Sequence, residues 1–409
     1  MTKEKSTVPR LRFPGFTDTW KQRKLGEVAE KISQKNLDRQ YVETFTNSAE
    51  FGIISQRDFF EKNISSLDNI SGYYIVSPDD FVYNPRISNL APVGPIKRNK
   101  LGRVGVMSPL YTIFRFSDIH LDFVEKYFDT TIWHRYMELN GDSGARSDRF
   151  AIKDSVFKGL PIPLPTLPEQ EAIGSFFSDL DQLITLHQRK LDDVKELKKA
   201  LLQKMFPKGN GNDFPELRFP EFTDAWKQRK LGEVLKERNE SRSPSADVPL
   251  VSFTVENGVT PKTERYNREF LVRDEDKKYK FTQLDDIVYN PANLKFGAIA
   301  RNKYGAAVFS PIYVTYGVLS EAHPLFVELI VTSTNFIQRA LRYQEGTVYE
   351  RMAVKSFDLL RSEIPLPTLP EQEAIGNFFS DLDQLITLHQ RQLDHLKLLK
   401  KALLQQMFI

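Results

Sequence analysis

The chain has 409 residues, a length typical of two or three domains. Apolar residues make up 40% of the sequence and charged residues 27%, a composition that is typical of a folded globular protein and excludes an extensively disordered one. The formal net charge of +3 is too small to indicate nucleic-acid binding by itself, and the absence of cysteine excludes disulfides and thiol catalysis. Because the sequence starts with polar residues and has no run of about 18 apolar ones, we expect a cytoplasmic protein with no membrane partner.

Two blocks of sequence occur twice, in the same order. The block Leu11–Val28 recurs at Leu217–Val234 with 16 of 18 positions identical, and Ile162–Phe206 recurs at Ile364–Phe408 with 39 of 45 identical. The stretches between the blocks have little sequence in common. Each copy spans about 200 residues, which is far longer than a solenoid repeat. We therefore predict two fused copies of one module, whose surfaces have diverged.

Between the repeated blocks, the sequence predicts globular domains of mixed α/β (α+β) class. Apolar runs such as Phe81–Tyr83, Leu110–Phe116 and Ala306–Tyr316 favour strands, whereas Phe123–Leu139 and Pro324–Leu341 have helical periodicity. The predicted order is a globular domain at residues 1–160, a long helix at 161–206, a flexible linker at 207–216, a second globular domain at 217–362 and a second long helix at 363–409.

The second repeated block has the pattern of a long helix. Prolines from Pro161 to Pro168 keep the preceding segment extended, and Thr166 with Glu169 predicts a capping box at the helix start. Apolar residues then recur at alternating steps of four and three, the heptad pattern of a coiled coil. The predicted seam residues are Ile173, Phe177, Leu180, Ile184 and Leu191 in the first copy, and Ile375, Phe379, Leu382, Ile386 and Leu393 in the second.

Two matching helices in one chain are natural partners for each other. With globular domains between them, we predict an antiparallel coiled coil in a pseudo-twofold, near-circular molecule. Packing of each helix on its own globular domain remains as the alternative.

The distribution of charge indicates candidate DNA-binding residues. No carboxylate occurs from Phe81 to Ser117 or from Ile287 to Ser320, although both stretches contain cations. Phosphate binding favours cations without carboxylate competitors, so we predict nucleic-acid contact, with a solvated basic face as the alternative. The candidates in these stretches are Arg86, Lys97, Arg98, Lys100 and Arg103 in the first copy, and Lys295, Arg301 and Lys303 in the second. A second basic cluster, in the Gly-containing segment after Asn140 and its counterpart, adds Arg146 and Arg149 in the first copy, and Arg342 and Arg351 in the second.

Catalytic and metal-binding signatures are missing from the sequence. There is no phosphate-binding G-x-x-x-x-G-K-[ST] loop, no G-x-S-x-G elbow and no histidine pair with metal-ligand spacing. Asn84-Pro85 and Asn290-Pro291 lack the second proline and the aromatic residue of an amino-methyltransferase loop. We therefore expect no catalytic residue, no metal site and no cofactor bound by this chain, and a self-sufficient nuclease or methyltransferase is disfavoured.

The repeated motifs carry a family resemblance. Around Trp20 and Trp226 the sequence is W-K-Q-R-K-L-G-E-V, and from Leu164 and Leu366 it is L-P-T-L-P-E-Q-E-A-I. In these motifs and in its two-fold order, the chain resembles the specificity subunit of Type I restriction–modification systems. A coiled-coil protein-interaction scaffold without DNA specificity is the alternative.

The resemblance implies a division of labour between subunits. It implies two target recognition domains, each reading half of an asymmetric bipartite site in double-stranded DNA, and a coiled-coil spacer that docks two modification subunits. It also implies that this chain is the non-catalytic part of a Type I deoxyribonuclease and adenine DNA methyltransferase complex. S-adenosylmethionine, ATP and Mg²⁺ would then be bound by the modification and restriction subunits.

Overall fold

The computed structural model describes residues 8–60, 70–142, 148–208, 214–261, 278–346 and 352–409. The chain divides into two compact units. The first unit consists of Met1–Arg189 and Arg391–Ile409, and the second unit is Lys190–Gln390. Each unit therefore combines a globular part with segments of both long helices.

The secondary structure before the first long helix consists, among the described residues, of ten strands, five short α-helices and one 3₁₀ turn at Ile70–Gly72. The strands are β1 (Lys21–Lys24), β2 (Ala29–Ile32), β3 (Phe45–Ser48), β4 (Gly52–Ser55), β5 (Tyr74–Val76), β6 (Phe81–Tyr83), β7 (Ile96–Arg98), β8 (Gly105–Met107), β9 (Thr112–Phe116) and β10 (Pro161–Leu164). The helices are α1 (Leu25–Val28), α2 (Gln56–Phe60), α3 (Leu121–Phe128), α4 (His134–Asn140) and α5 (Asp154–Phe157), and the long helix α6 (Leu167–Lys204) follows.

The second copy repeats this order with small differences. Its strands are β11 (Lys227–Lys230), β12 (Leu235–Glu237), β13 (Ser241–Arg242), β14 (Val251–Thr254), β15 (Gly258–Pro261), β16 (Tyr279–Thr282), β17 (Ile287–Tyr289), β18 (Ile299–Arg301), β19 (Ala307–Phe309), β20 (Val314–Val318) and β21 (Glu363–Leu366). Its helices are α7 (Pro324–Val331), α8 (Thr334–Ala340), α9 (Ser356–Leu360) and the long α10 (Leu369–Met407).

Each unit contains a four-stranded antiparallel sheet. The strand order is β2-β9-β6-β7 in the first unit and β12-β20-β17-β18 in the second. In the first unit Phe81 pairs with Phe114, and at the corresponding place in the second unit Ile287 pairs with Tyr316. These residues belong to the main apolar cores, together with residues of α3 or α7. The same sheet therefore forms from two divergent sequences because the buried positions stay apolar.

The long helices α6 and α10 pack antiparallel, as predicted. In the first unit, Phe177 of α6 contacts Phe408 just after α10, with ring centroids 6.3 Å apart, and Lys400 Nζ lies 2.6 Å from an Asp181 carboxylate oxygen. The second unit repeats both contacts with the helices exchanged. There the Phe206 and Phe379 centroids are 6.5 Å apart, and Lys198 Nζ lies 2.5 Å from Asp383.

Burial of the predicted seam residues varies along the helices. Seven of them are buried, namely Ile173, Phe177, Leu180, Leu191, Ile375, Phe379 and Leu393, whereas Ile184, Leu382 and Ile386 are half-buried. Ile173 and Phe177 also belong to the globular core of the first unit, beside Trp20. The first part of each helix thus packs on its own globular part as well as on the other helix. The knobs-into-holes seam itself stays a prediction.

The start of each long helix is held by a buried carboxylate. Glu169 accepts hydrogen bonds from Arg12 Nε at 2.6 Å and from Trp20 Nε1 at 3.4 Å, and its side chain is fully buried. The predicted capping box is therefore wrong. The described hydrogen bonds of the Glu169 carboxylate come from Arg12 and Trp20 and not from the Thr166 backbone. The same contacts recur among Glu371, Arg218 and Trp226.

Two of the elements predicted from periodicity are each split. The segment Phe123–Leu139 forms α3 and α4, and Pro324–Leu341 is divided in the same way, because Ser333 accepts a hydrogen bond from Phe336 N and starts α8 as its N-cap. The run Ala306–Tyr316 is interrupted by a turn in which Tyr313 N donates to Ser310 O. In the described part of the chain, no helix is long and apolar enough to cross a membrane.

Candidate nucleic-acid interface

Four of the candidate cations in the first unit are paired with carboxylates. Lys97 Nζ lies 2.9 Å from Asp129, Lys100 Nζ lies 3.1 Å from Glu125, and Arg103 binds both carboxylate oxygens of Glu43 at 2.7 Å. The Arg103 guanidinium holds the pKa of Glu43 below its usual range. The positive charge on this part of the surface is therefore largely compensated.

Arg98 is the most enclosed member of this group. Its side chain is 14% exposed, and its guanidinium contacts Asp79 at 2.7 Å and Asp122 at 2.6 Å. The contact with Asp122 joins β7 to α3. Burial by itself would lower the pKa of Arg98, but the hydrogen bonds to the two carboxylates raise it by more than burial lowers it. The net pKa is raised, so the group stays charged.

The second unit repeats the same arrangement. Arg301 contacts Asp285 at 2.5 Å and Glu328 of α7 at 2.9 Å, and Lys303 contacts Glu328 at 2.8 Å. Cations that occupy equivalent places in both units thus hold the sheet against the following helix. The two acid-free segments contain no carboxylate of their own, but in the folded chain Glu43 and residues of α3 and α7 bring carboxylates next to their cations. The DNA-binding role of these residues stays a prediction.

A second group of candidate cations is not ion-paired. Arg86, Arg149, Lys295 and Arg342 have no carboxylate within 4.0 Å among the described residues. Arg86, Lys295 and Arg342 are exposed, Arg149 is half-buried, and Lys295 Nζ lies 4.9 Å from the ring centre of Phe296. Arg146 and Arg351 lie outside the described residues. The described cations available to an anionic partner are therefore fewer than the sequence predicted.

Arg86 and Arg149 line a cleft of about 640 Å³ in the first unit. Asn84, just after β6, shapes one wall: its side-chain oxygen accepts a hydrogen bond from Arg86 N at 3.0 Å, and its amide nitrogen donates to Asn47 O at 2.8 Å. The Asn-Pro motif is thus used to build a turn. Because Asn290 likewise accepts from Ala292 N at 3.1 Å, both units use it the same way.

Another part of the cleft lining comes from β3, from Ala49 and Glu50 just after it, and from α2, which the sequence did not single out. Asn47 is 2% exposed, and its side-chain nitrogen donates to Val82 O at 2.7 Å. The side-chain oxygens of Asn47 and Gln56 are buried and accept no hydrogen bond in the described part of the chain. Phe59 and Phe60 expose aromatic surface at the rim. Polar, basic and aromatic groups therefore meet in one concave surface.

The second unit has different side chains at the corresponding positions. The parallel bridges Thr44–Val106 and Leu250–Val308 align β3 with β14. This alignment places Phe253 where the first unit has Asn47, and Ala292 follows Asn290-Pro291 where Arg86 follows Asn84-Pro85. The framework is shared, whereas the surface that it presents is not.

Comparison with known proteins identifies the framework. The Type I restriction modification DNA specificity domain family matches residues 17–196 and 223–398. The chain belongs to this family. Each matched segment includes one globular part and most of the long helix that follows it.

Individual relatives support the same family. The Putative type I restriction enzyme MjaX specificity subunit of Methanocaldococcus jannaschii is 25% identical over 274 residues, which cover 62% of this chain and 60% of the relative. The Type I restriction enzyme MjaVIII specificity subunit of the same organism is 24% identical over 266 residues, covering 62% of each. The matches thus span about 60% of the length of these curated relatives.

A solved structure supports the fold. The crystal structure of the Type-I restriction-modification system S subunit from M. genitalium matches with a TM-score of 0.60 and 13% identity, covering 98% of this chain and 99% of that one. At this identity the match bears on the fold alone. The family and the fold predicted from the repeated motifs, two α/β regions with antiparallel long helices, are confirmed. Among the described residues, no group of three or more histidine or acidic side chains could hold a metal ion.

Proposed function

We propose that this chain is the specificity subunit of a Type I restriction–modification complex and reads an asymmetric bipartite site in double-stranded DNA through two target recognition domains. One observation carries the proposal: two copies of the family's DNA specificity domain share a framework but differ in the side chains at corresponding positions, with Asn47 and Arg86 of the cleft in one and Phe253 and Ala292 in the other. Because different side chains recognise different base edges, the two half-sites should differ in sequence.

On this proposal the chain recognises DNA and assembles the complex in the cytoplasm, and it supplies no catalytic group. Two modification subunits and the restriction subunits provide the chemistry, with S-adenosylmethionine, ATP and Mg²⁺ bound to them. The long helices support two equivalent docking surfaces, because Leu183 and Leu186 on α6 and Leu385 and Leu388 on α10 are exposed at equivalent positions. Two identical surfaces can bind two copies of one subunit.

The unpaired cations provide the attraction to DNA on this proposal. Arg86 and Arg149 in the first unit, and Lys295 and Arg342 in the second, can neutralise phosphates without first breaking an ion pair. Arg98 and Arg301 are held by carboxylates, so their proposed contact with DNA would exchange one ionic partner for another.

Sequencing of DNA methylation in a host that expresses this chain with its modification subunit tests the proposal. We expect one bipartite motif, with two unlike half-sites separated by a fixed number of unread base pairs, and no such motif when the chain is omitted. Methylation without a bipartite motif, or methylation that does not depend on this chain, would contradict it.

A protein-interaction scaffold without DNA specificity is the second candidate, and the exposed leucines of α6 and α10 favour it. The salt dependence of binding separates the two functions. DNA binding weakens steeply as salt rises because counterions are released, whereas an apolar protein interface does not. If the affinity of the assembled complex for duplex DNA does not change between about 50 and 200 mM salt, the scaffold function is favoured.

A further inference from the structure

Two arginines in the cleft of the first unit directly face each other. Arg86 and Arg149 are partners in an antiparallel bridge between two loop segments. The bridge is fixed by hydrogen bonds from Ile87 N to Asp148 O at 2.9 Å and from Phe150 N to Pro85 O at 2.7 Å. Side chains at directly opposed positions of such a bridge lie on the same face, with Cβ atoms about 4.5–5.5 Å apart.

The charges of this pair are not compensated by the described residues. Neither guanidinium forms an ion pair there, although Glu50 also lines the cleft. Like charges at directly opposed positions destabilise a β-bridge. The ion-paired Arg98 in the same unit shows that carboxylates can be brought to an arginine in this fold. An anion bound between Arg86 and Arg149 would remove the repulsion.

The rest of the cleft suits a polyanion that also carries hydrogen-bond donors. The buried Asn47 side-chain oxygen lacks a donor, and the exposed Phe59 and Phe60 rings offer apolar surface beside it. Duplex DNA presents phosphates, base amino groups and thymine methyl groups close together. A small inorganic anion would satisfy the arginines alone.

We propose that Arg86 and Arg149 form a clamp that holds one phosphate of the DNA backbone. The clamp rests on the proposed function, since it requires that the first unit bind DNA. It fixes the position of the first half-site and reads no base, because phosphate contacts carry no direct sequence information. The second unit cannot form the same pair, because Ala292 stands at the position of Arg86. The two halves of the site are therefore held differently.

The test uses the complex of the full chain with its modification subunits. Binding to a duplex that carries its methylated motif is measured by fluorescence anisotropy over a range of salt concentrations, for wild type, R86A, R149A and R86A/R149A. Lys35→Ala/Arg135→Ala is the matched control, because it removes two exposed positive charges that do not line the cleft. Melting temperatures and methylome sequencing are measured for every variant.

If both arginines hold one phosphate, we expect R86A/R149A to reduce the slope of log affinity against log salt by about 0.9. The loss of affinity in the double variant should then be smaller than the sum of the losses in the two single variants. The motif should not change, and the melting temperature should be equal or higher because the repulsion is gone. A slope loss of about 1.8 would mean two separate phosphates and would overturn the shared clamp. An unchanged slope, or a changed base preference in the first half-site, would also overturn it. If the wild-type complex itself yields no bipartite motif, the proposed function fails first.

Discussion

Lys126 places a positive charge inside the first unit. Its side chain is 3% exposed, and its Nζ lies 2.5 Å from Asp181 of α6 and 3.4 Å from Asp129. Asp181 in turn binds Lys400 of α10. The second unit has Leu329 and Thr332 at the positions of Lys126 and Asp129, and its fold is the same. The buried charges are thus an addition in one copy and not a requirement of the fold.

We predict that Lys126→Leu lowers the free energy of unfolding by about 3 kcal/mol, because it leaves the half-buried carboxylates of Glu125, Asp129 and Asp181 with one cation fewer. The double variant Lys126→Leu/Asp129→Thr, which reproduces the residues of the second unit, should recover most of this loss. Urea unfolding of wild type and both variants measures the differences. If the double variant is no more stable than Lys126→Leu, lost packing rather than uncompensated charge is the cause.

The same cluster predicts a pH dependence. Burial by itself would raise the pKa of Asp129, but the charges of Lys97, Lys126 and Lys400 lower it by more than burial raises it. The net pKa therefore lies below the usual Asp value of about 3.9. A carboxylate with a lowered pKa stabilises the folded state above its unfolded pKa, and this stabilisation is lost as pH falls through the folded value. Between about pH 5 and pH 2, wild type should therefore lose more stability than Lys126→Leu/Asp129→Thr. Parallel curves of unfolding midpoint against pH would contradict this assignment.

Among the elements, the contact between α6 and the start of α3 depends on a glycine. A Cβ atom at Gly174 would lie 2.6 Å from His120 Nδ1 and 2.9 Å from Phe123 N. At Gly376 of α10 a Cβ atom would lie 2.8 Å from Leu325 Cβ. Each long helix thus approaches the short helix that precedes it in the same copy, α3 or α7, as closely as their backbones allow.

We predict that Gly174→Ala destabilises the chain by about 1–3 kcal/mol, because overpacking outweighs the better helix propensity of alanine. Ser175→Ala on the exposed face of α6 is the matched control and should be neutral or slightly stabilising. Thermal unfolding of both variants tests the contact. Equal melting temperatures for the two variants would mean that α3 can move away without cost.

The sequence predicted the long helices well because their signals are local. Prolines before Leu167 and Leu369 and the apolar periodicity after them are read directly from neighbouring residues. The break between α3 and α4 was missed because Tyr127 and Met137 both pack on the same core, so the apolar periodicity continues across the break. Periodicity reports which face is buried and does not locate a break in the backbone.

The candidate interface was harder to predict for a different reason. Arg98 looked free of carboxylates because Asp122 and Glu125 are more than twenty positions away along the chain, and only folding of α3 onto β7 brings them close. Asn47 and Gln56 lie in β3 and α2 with no motif around them, so no local signal could place them beside Arg86. Arg86 was found because it lies in an acid-free stretch, and Arg149 because it belongs to a basic cluster that recurs in the second copy.

Over the whole molecule, the start of each copy is attached to the end of a long helix. Leu11 N donates to Gln406 O at 3.0 Å in the first unit, and Leu217 N donates to Lys204 O at 2.9 Å in the second. In the second contact, Lys204 and Leu217 are also linked by a short stretch of chain, whereas Leu11 and Gln406 of the first contact are far apart in the sequence. Since Leu11 makes the equivalent contact without such a stretch, we expect Leu217 to stay in place when the chain is cut before it.

We therefore predict that a protease site placed within 209–213 can be cut without separating the chain into independent halves. Each unit contains parts of both fragments: Phe408 packs against Trp20 and Phe123 in the first, and Phe206 packs against Trp226 in the second. After cleavage, the fragments should co-elute in size-exclusion chromatography, and their melting temperature should be close to that of the intact chain.

Phe408→Ala in the cut chain should lower the melting temperature and promote dissociation of the fragments, because truncating a buried Phe costs about 3–5 kcal/mol. Leu398→Ala, at an exposed position of α10, should leave the fragments associated, and fragments of the unmutated chain that separate on cutting would show that the linker is required.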